Sequence, residues 1–264
     1  MYMVRAASQS FIKKNLPLLG KKGRDESGLF IAEGEKIVSE IPADWHIIYF
    51  IISEGFAQKH NIPSYESVAD IYIASDRLYE KLSGTVTPQG IMAVCEKKHA
   101  AMEGFMGEGC LLLLCEDLAD PGNVGALIRT AAAAGATGVI LTKGSADPYN
   151  PKVIRASAGS FFHIPCAEGV DSQYAAGYLK ERNITLAAAH LKGAVIPYDA
   201  DMTKAFCIMI GNEARGLSNG ISALADILIR IPMNAETESL NAAAAGSILL
   251  YEAFRQRTVI KPCQ

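Results

Sequence analysis

The stretch CLLLLCEDLADPGNVGALIRTAAAAGATGVILTK, Cys110 to Lys143, decides the fold. It opens on an apolar run without alternation, Cys110 to Cys115, the composition of a strand covered on both faces of a parallel sheet. A proline–glycine turn follows at Pro121 and Gly122. Asn123 stands where a helix should begin, because its side-chain oxygen can accept from an orphan N–H of the first turn. Val124, Leu127, Ile128 and Ala131 recur at helical spacing and give a core-facing stripe. Gly135 ends the helix, and TGVILTK supplies the next strand. Strand, helix and strand within about thirty residues make a βαβ unit. One residue does not fit this account. Arg129 is a lone cation among alanine and isoleucine, on a face with the small residues Gly125 and Ala132.

The same pattern continues downstream. NPKVIRASAGS reads as a helix, FFHIPCAE as a strand, DSQYAAGYLKERN as a helix, and ITLAAAHL, AFCIMIGNE and DILIRIPM as strands. The segment SLNAAAAGSILLYEAFRQR reads as a long final helix with Leu240, Ile248, Tyr251 and Phe254 on its core face. Residues 109–264 are thus a doubly wound α/β domain. Upstream, GLFIAEG, WHIIYFIIS, SVADIYIAS and GIMAVCEK read as strands, with helical turns at EKIVSEI and DRLYEKLSG, so residues 1–98 form a small α/β domain. Lys97 to Gly109 has no sustained period and carries three glycines. Residues 99–108 therefore read as a linker.

The chain has 264 residues, 50% of them hydrophobic, enough for one large or two modest domains. A net charge of −3 excludes a uniformly basic coat, though not a local patch. Such a patch stands near the start. Arg5, Lys13, Lys14, Lys21, Lys22 and Arg24 precede the first acid, with Phe11, Ile12, Leu16 and Leu19 among them. It reads either as a solvated helix face followed by the basic loop GKKGRDESG, or as an electrostatic foot for a phosphate backbone. The six cysteines are scattered, without a CxxC pair or a Cys/His cluster of zinc spacing. They are expected to be reduced and buried, with no metal bound. No segment has signal-peptide character or the length to span a bilayer, so a cytoplasmic, membrane-free protein is expected.

Three segments at carboxyl ends of expected strands, where ligands of open α/β sheets bind, share Asn, Gly, Glu, Ser and Arg. They are DPGNVGALIRTA, IMIGNEARGLSNG and IPMNAETESLN. Each alone could be ordinary: a capped helix whose arginine pairs with an acid, a strand–helix turn, a Ser-capped helix. None has the GxGxxG or GxxxxGK[ST] spacing, which disfavours a dinucleotide oxidoreductase or a P-loop enzyme.

Together and in this order, N123-x-G125-x-x-x-R129-T130-A131, G211-N212-E213-x-x-G216-L217-S218 and I231-P232-M233 with S239-L240-N241 resemble the three motifs of the SpoU (TrmH) family of RNA 2′-O-ribose methyltransferases. The resemblance covers Cys110 to about Arg257, and KKGRDESGLFIAEGEKIV resembles the substrate-binding domain preceding it in many members. The resemblance implies an α/β domain with a deep trefoil knot, preceded by an L30e-like α/β/α domain, and a homodimer. It implies S-adenosylmethionine as cofactor, held around Gly211, Ile231 and Leu240. It places Arg129 at the family's proposed catalytic arginine, with Asn123, Glu213, Ser239 and Asn241 around it. It implies a structured RNA partner, 23S ribosomal RNA ahead of tRNA, met by Lys13, Lys14, Lys21, Lys22 and Arg24. A non-catalytic RNA-binding homologue remains the alternative at this point. His163 and His190 lie outside the motifs and are expected to serve the fold.

Overall fold

The computed structural model describes residues 3–60, 62, 65, 68–234 and 239–258. The chain divides into two compact units, Met1–Lys98 with Tyr149–Phe162, and His99–Pro148 with His163–Gln264.

In the first unit, β1 (Val4–Ala6), β2 (Leu29–Glu33), β3 (Ile47–Ser53), β4 (Asp70–Ala74) and β5 (Ile91–Glu96) form one sheet in the order β1-β4-β3-β5-β2. β1 and β3 run parallel to β4, whereas β5 is antiparallel to β2 and β3. Ile31, Ile51, Met92 and Val94 pack with Ile12, Leu18, Tyr79 and Leu82. β1 is absent from the sequence reading because its three residues are all exposed and too few to show a period.

The expected basic loop is partly a helix, Lys21–Ser27, closed by Gly28 in the left-handed region at φ +69°. Gly23 misled the reading. It lies where a Cβ would be 2.2 Å from the Pro17 carbonyl oxygen, so the glycine serves helix packing rather than loop flexibility. Arg24 is 2% exposed, and its guanidinium donates to the carbonyls of Leu18 (2.9 Å) and Leu19 (3.0 Å). It therefore leaves the exposed basic set. Lys13, Lys14, Lys21 and Lys22 remain exposed.

Tyr149–Phe162 is a second departure, because the sequence reading assigns it to residues 109–264. Tyr149, Phe161 and Phe162 pack on Phe30. Arg155 pairs with the buried Glu33 at 3.4 Å and donates to the Gly84 carbonyl at 3.2 Å. This attachment depends on pairing between distant segments, to which local periodicity is blind.

In the second unit, β6 (Leu111–Cys115), β7 (Gly138–Thr142), β8 (Cys166–Val170), β9 (Thr185–Ala189), β10 (Phe206–Ile210) and β11 (Ile227–Ile229) form a parallel sheet in the order β11-β9-β10-β6-β7-β8. Every residue of β6, β7 and β10 is buried, as their unbroken apolar runs require. The order reverses between β6 and β10, which places a ligand crevice at their carboxyl ends. Residues 99–108 are not a bare linker: Met102 and Phe105 are core residues. The Phe105 ring occupies the space above Gly138, where a Cβ would be 2.3 Å from it.

The helix Pro121–Ala133 buries Val124, Leu127, Ile128 and Ala131, the stripe expected from the sequence. Its cap is Asp120, however, which accepts from the Asn123 N–H at 2.8 Å. Proline at the first helical position moves the start forward and releases the Asn123 side chain for other contacts. The final helix, Ala242–Thr258, corrects the sequence reading more sharply. Ala242, Ala243, Gly246, Leu249, Leu250, Glu252 and Ala253 are buried, while Ile248, Tyr251 and Phe254 are 42%, 66% and 37% exposed. Close approach explains the inversion. A Cβ on Gly246 would lie 2.4 Å from Leu127, so the face that carries Gly246, with Leu249 and Leu250, turns inward. Arg257 fixes the far end, donating to the carbonyls of Met202 (2.8 Å), Gly109 (2.5 Å) and Lys204 (2.5 Å). Burial among these groups lowers the guanidinium pKa.

The described cysteines are free and buried. Burial pushes the Cys95 and Cys166 thiols up to about 12 and also raises those of Cys115 and Cys207. Cys263 lies outside the described residues. Among the described residues no group of three or more His, Cys, Asp or Glu side chains could hold a metal ion. No described helix is long and apolar enough to cross a membrane.

Candidate functional site

The site grows from the carboxyl ends of β6 and β10. After Ile210 the chain turns at Gly211 and folds back on itself, with Asn212 and Gly216 exchanging two backbone hydrogen bonds (3.1 and 2.8 Å). A Cβ on Gly211 would lie 2.2 Å from the Gly216 carbonyl carbon and from the Leu217 nitrogen, so only glycine permits this turn. Asn212 stabilises the loop internally. Its side-chain oxygen accepts from the N–H groups of Ala214 (3.0 Å) and Arg215 (3.2 Å), and its amide donates to the Asp117 carbonyl at 2.9 Å. Arg215 pairs with the Asp117 carboxylate. The buried Glu116 carboxylate accepts from the Ser218 N–H at 2.7 Å and hydroxyl at 2.8 Å. Two acids directly after β6 thus anchor a loop about a hundred residues later in the chain. Local sequence patterns carry no signal for this pairing, so Glu116 and Asp117 escape a motif search.

The loop holds Glu213 against the helix Pro121–Ala133. The Asn123 amide donates to Glu213 Oε1 at 2.9 Å, and Asn123 Oδ1 accepts from the Asn241 amide at 3.0 Å. The Asn241 oxygen in turn accepts from the N–H groups of Ala243 (2.9 Å) and Ala244 (3.2 Å) at the start of the final helix. One residue from each of the three motifs therefore joins a single side-chain chain, Glu213–Asn123–Asn241. Each amide has its orientation set by its partners. Thr130 and Ser247 share a hydroxyl hydrogen bond of 3.0 Å that ties the same two helices together further along.

Arg129 follows Asn123 by about 9 Å along the helix axis. It is exposed and makes no hydrogen bond or ion pair among the described residues. Among the described residues, the acidic partner that would make it an ordinary surface residue is missing. Ser239 is exposed beside Leu240 and Asn241.

The carboxyl ends of β9, β10 and β11 supply a second kind of surface. The chain after β9 lies against β11: the His190 N–H donates to the Ile229 carbonyl at 2.9 Å, and the Arg230 N–H to the Val195 carbonyl at 2.9 Å. Gly193 allows this close approach, since a Cβ there would be 2.5 Å from the Leu228 carbonyl oxygen. His190 has a turn role, accepting at Nδ1 from the Lys192 N–H at 3.1 Å. Next to these peptide edges in the chain stand Leu191, 58% exposed, and the half-buried Ile231. Peptide donors and acceptors with apolar side chains suit the edge and face of an adenine ring, so the residues present fit an adenosine-containing cofactor.

Comparison with known proteins agrees with this geometry. The family model of the SpoU rRNA Methylase family matches residues 110–251, and that of the MRM3-like substrate binding domain matches residues 9–93. The chain is 31% identical over 252 residues to the 23S rRNA (guanosine(2553)-2′-O)-methyltransferase RlmP of Bacillus subtilis, covering 95% of this chain and 98% of the relative. It is 36% identical over 197 residues to the 23S rRNA (uridine(2479)-2′-O)-methyltransferase of Streptomyces viridochromogenes, covering 71% and 67%. The crystal structure of the SpoU methyltransferase AviRb from Streptomyces viridochromogenes with the cofactor AdoMet superposes with a TM-score of 0.83 at 28% identity, covering 96% of this chain and 98% of that one. With its three motifs joined at one sheet edge and this match over more than half its length, the chain belongs to the SpoU rRNA methylase family.

Proposed function

We propose that this protein is an S-adenosylmethionine-dependent methyltransferase acting on a ribose 2′-hydroxyl of 23S ribosomal RNA. The observation that carries the reading is the Glu213–Asn123–Asn241 chain on the helix that carries Arg129, which has no partner among the described residues. The relatives named for guanosine and uridine 2′-O-methylation of 23S rRNA support the substrate class.

Bound S-adenosylmethionine supplies an electrophilic methyl group. Gly211, Ile231 and Leu240 form its cradle, through backbone and apolar contact. The Arg129 guanidinium offers a planar fork of N–H donors and no acceptor. It holds a phosphate next to the target ribose and so fixes the direction of the 2′-hydroxyl. Asn123 and Glu213 keep loop and helix in register, and Ser239 and Asn241 bound the ribose on the side of the final helix. Most of the rate then comes from positioning. The test is transfer of tritium from labelled S-adenosylmethionine to total RNA from a strain lacking the gene, with the product mapped. Label in one 23S nucleotide is expected. Label confined to tRNA would overturn the substrate class, and cofactor binding without any label would overturn the catalytic reading.

We further infer that residues 1–98 form an L30e-like substrate domain, with Lys13, Lys14, Lys21 and Lys22 against the RNA backbone. Replacing these four lysines with alanine should flatten the salt dependence of RNA binding, by about 0.7–0.9 in log–log slope for each phosphate that they neutralise. An unchanged slope in a filter-binding series would remove them from the footprint. Residues 109–264 contain the deep trefoil knot in this reading. The segment laid across β11 and the final helix held by Arg257 support it. A homodimer in the cytoplasm completes the proposal, with the exposed Ile248, Tyr251 and Phe254 as the paired face. The double variant Ile248→Asp, Tyr251→Glu should sediment as a folded monomer and the wild type as a dimer. A monomeric wild type would refute this assignment.

A further inference from the structure

We propose that a cavity beside the motif loop receives the base of the nucleotide being methylated, and that its polar lining selects that base. The inference rests on the methyltransferase reading above.

The cavity has a volume of about 320 Å³. That lies at the lower end of small-ligand sites and suits a single nucleobase with part of its sugar. Its floor is the carboxyl ends of β6, β7 and β8, through Asp117, Lys143 and Asp171, and one wall is the loop residues Asn212, Arg215 and Ser218. One loop thus serves two places: Glu213 reaches Asn123, while its neighbours bound the cavity. A ribose held at Arg129 and Asn123 therefore has a compartment of base size next to it.

The charges decide what the cavity accepts. Glu116 is satisfied by the two Ser218 donors and Asp117 by Arg215. Lys143 is exposed with no side-chain partner among the described residues. Asp171 uses Oδ1 to cap the helix Ser172–Lys180, accepting from the Tyr174 N–H at 3.0 Å, and among the described residues Oδ2 has no hydrogen-bond partner. These two residues stand side by side, since the Lys143 N–H donates to the carbonyl of Val170 at 3.0 Å. A phosphate in the cavity would face the carboxylates of Glu116, Asp117 and Asp171 against only two cations, Lys143 and Arg215. A neutral ring with an acceptor and a donor on adjacent atoms matches one free ammonium and one free carboxylate oxygen. Every nucleobase has such an edge, but the order of donor and acceptor differs between keto bases (guanine, uracil) and amino bases (adenine, cytosine). With the ribose fixed, only one order can satisfy both Lys143 and Asp171.

The test uses full-length protein and transcripts of the RNA segment mapped in the labelling experiment, carrying each of the four bases at the methylated position. Exchanging a keto for an amino base, or the reverse, should lower kcat/KM at least tenfold. Lys143→Gln and Asp171→Asn should each lower kcat/KM for the native transcript and shrink the discrimination between transcripts to within about threefold. Their S-adenosylmethionine affinity should stay at the wild-type value. Asn also caps helices well, so Asp171→Asn preserves the fold. Equal methylation of all four transcripts by the wild type would overturn the proposal, as would full discrimination in both variants. Absence of methyl transfer by the wild type to any RNA would instead overturn the methyltransferase reading itself.

Discussion

Arg129→Ala should lose at least about 10²–10³-fold in methyl transfer, the loss typical of removing one preorganised donor from an active site. Its S-adenosylmethionine affinity should stay within about twofold, and its stability within about 0.5 kcal/mol, as for a surface side chain without partners. Both expectations follow from one observation: the side chain is exposed and unpaired among the described residues, so the fold does not depend on it. Arg129→Lys should recover little, because a point charge lacks the planar fork that grips a phosphate and directs a hydroxyl together. Single-turnover methyl transfer, with cofactor titration by calorimetry, separates the two effects. Wild-type turnover in Arg129→Ala would remove the residue from the reaction.

Gly211→Ala should damage binding and stability at once. Its Cβ would meet the Gly216 carbonyl carbon and the Leu217 nitrogen at 2.2 Å, and both are backbone atoms that no rotamer change can move. Overpacking of this kind costs about 1–3 kcal/mol. The displaced segment carries Glu213 at one end and is anchored to Glu116 through Ser218 at the other, so both ends should loosen. We expect S-adenosylmethionine affinity to fall at least tenfold. Gly177→Ala is the matched control: it lies within the helix Ser172–Lys180, with nothing within 4 Å of its Cβ position. It should leave cofactor binding alone and raise stability by about 0.5–1 kcal/mol. Urea denaturation and cofactor titration of both variants decide the matter, and wild-type behaviour of Gly211→Ala would contradict the tight turn.

Apart from the three-residue β1, the strands of both units were legible because they are unbroken or near-unbroken apolar runs, and the βαβ unit at Cys110 to Lys143 had every local signal in agreement. The three motifs were legible through order and spacing. What bonds to what was not. Asn123 reads as a cap, yet Pro121 starts the helix and frees the amide for Glu213 and Asn241. Arg24 reads as a surface cation beside four others, yet two carbonyls just before it in the chain capture it. Ile248, Tyr251 and Phe254 read as core because they are large, while the face that turned inward sets small residues such as Gly246 against Leu127 and buries Leu249 and Leu250 beside them. In each case the deciding partner is a tertiary neighbour or a competing cap, and single-sequence patterns record neither.

The grip of Arg257 on the chain has a consequence for the order of assembly. Its acceptors come from two places far apart in sequence, Gly109 just before β6, and Met202 with Lys204 just before β10. The receptacle exists only once β6 and β10 lie side by side. The final helix therefore acts as a bolt that can slide home only into a finished frame. Contacts spanning 148 positions are slow to form, because loop closure must come before any reward for it. A chain built this way should seat its last helix as a late event in refolding, completing the Asn241 link to Asn123 with it.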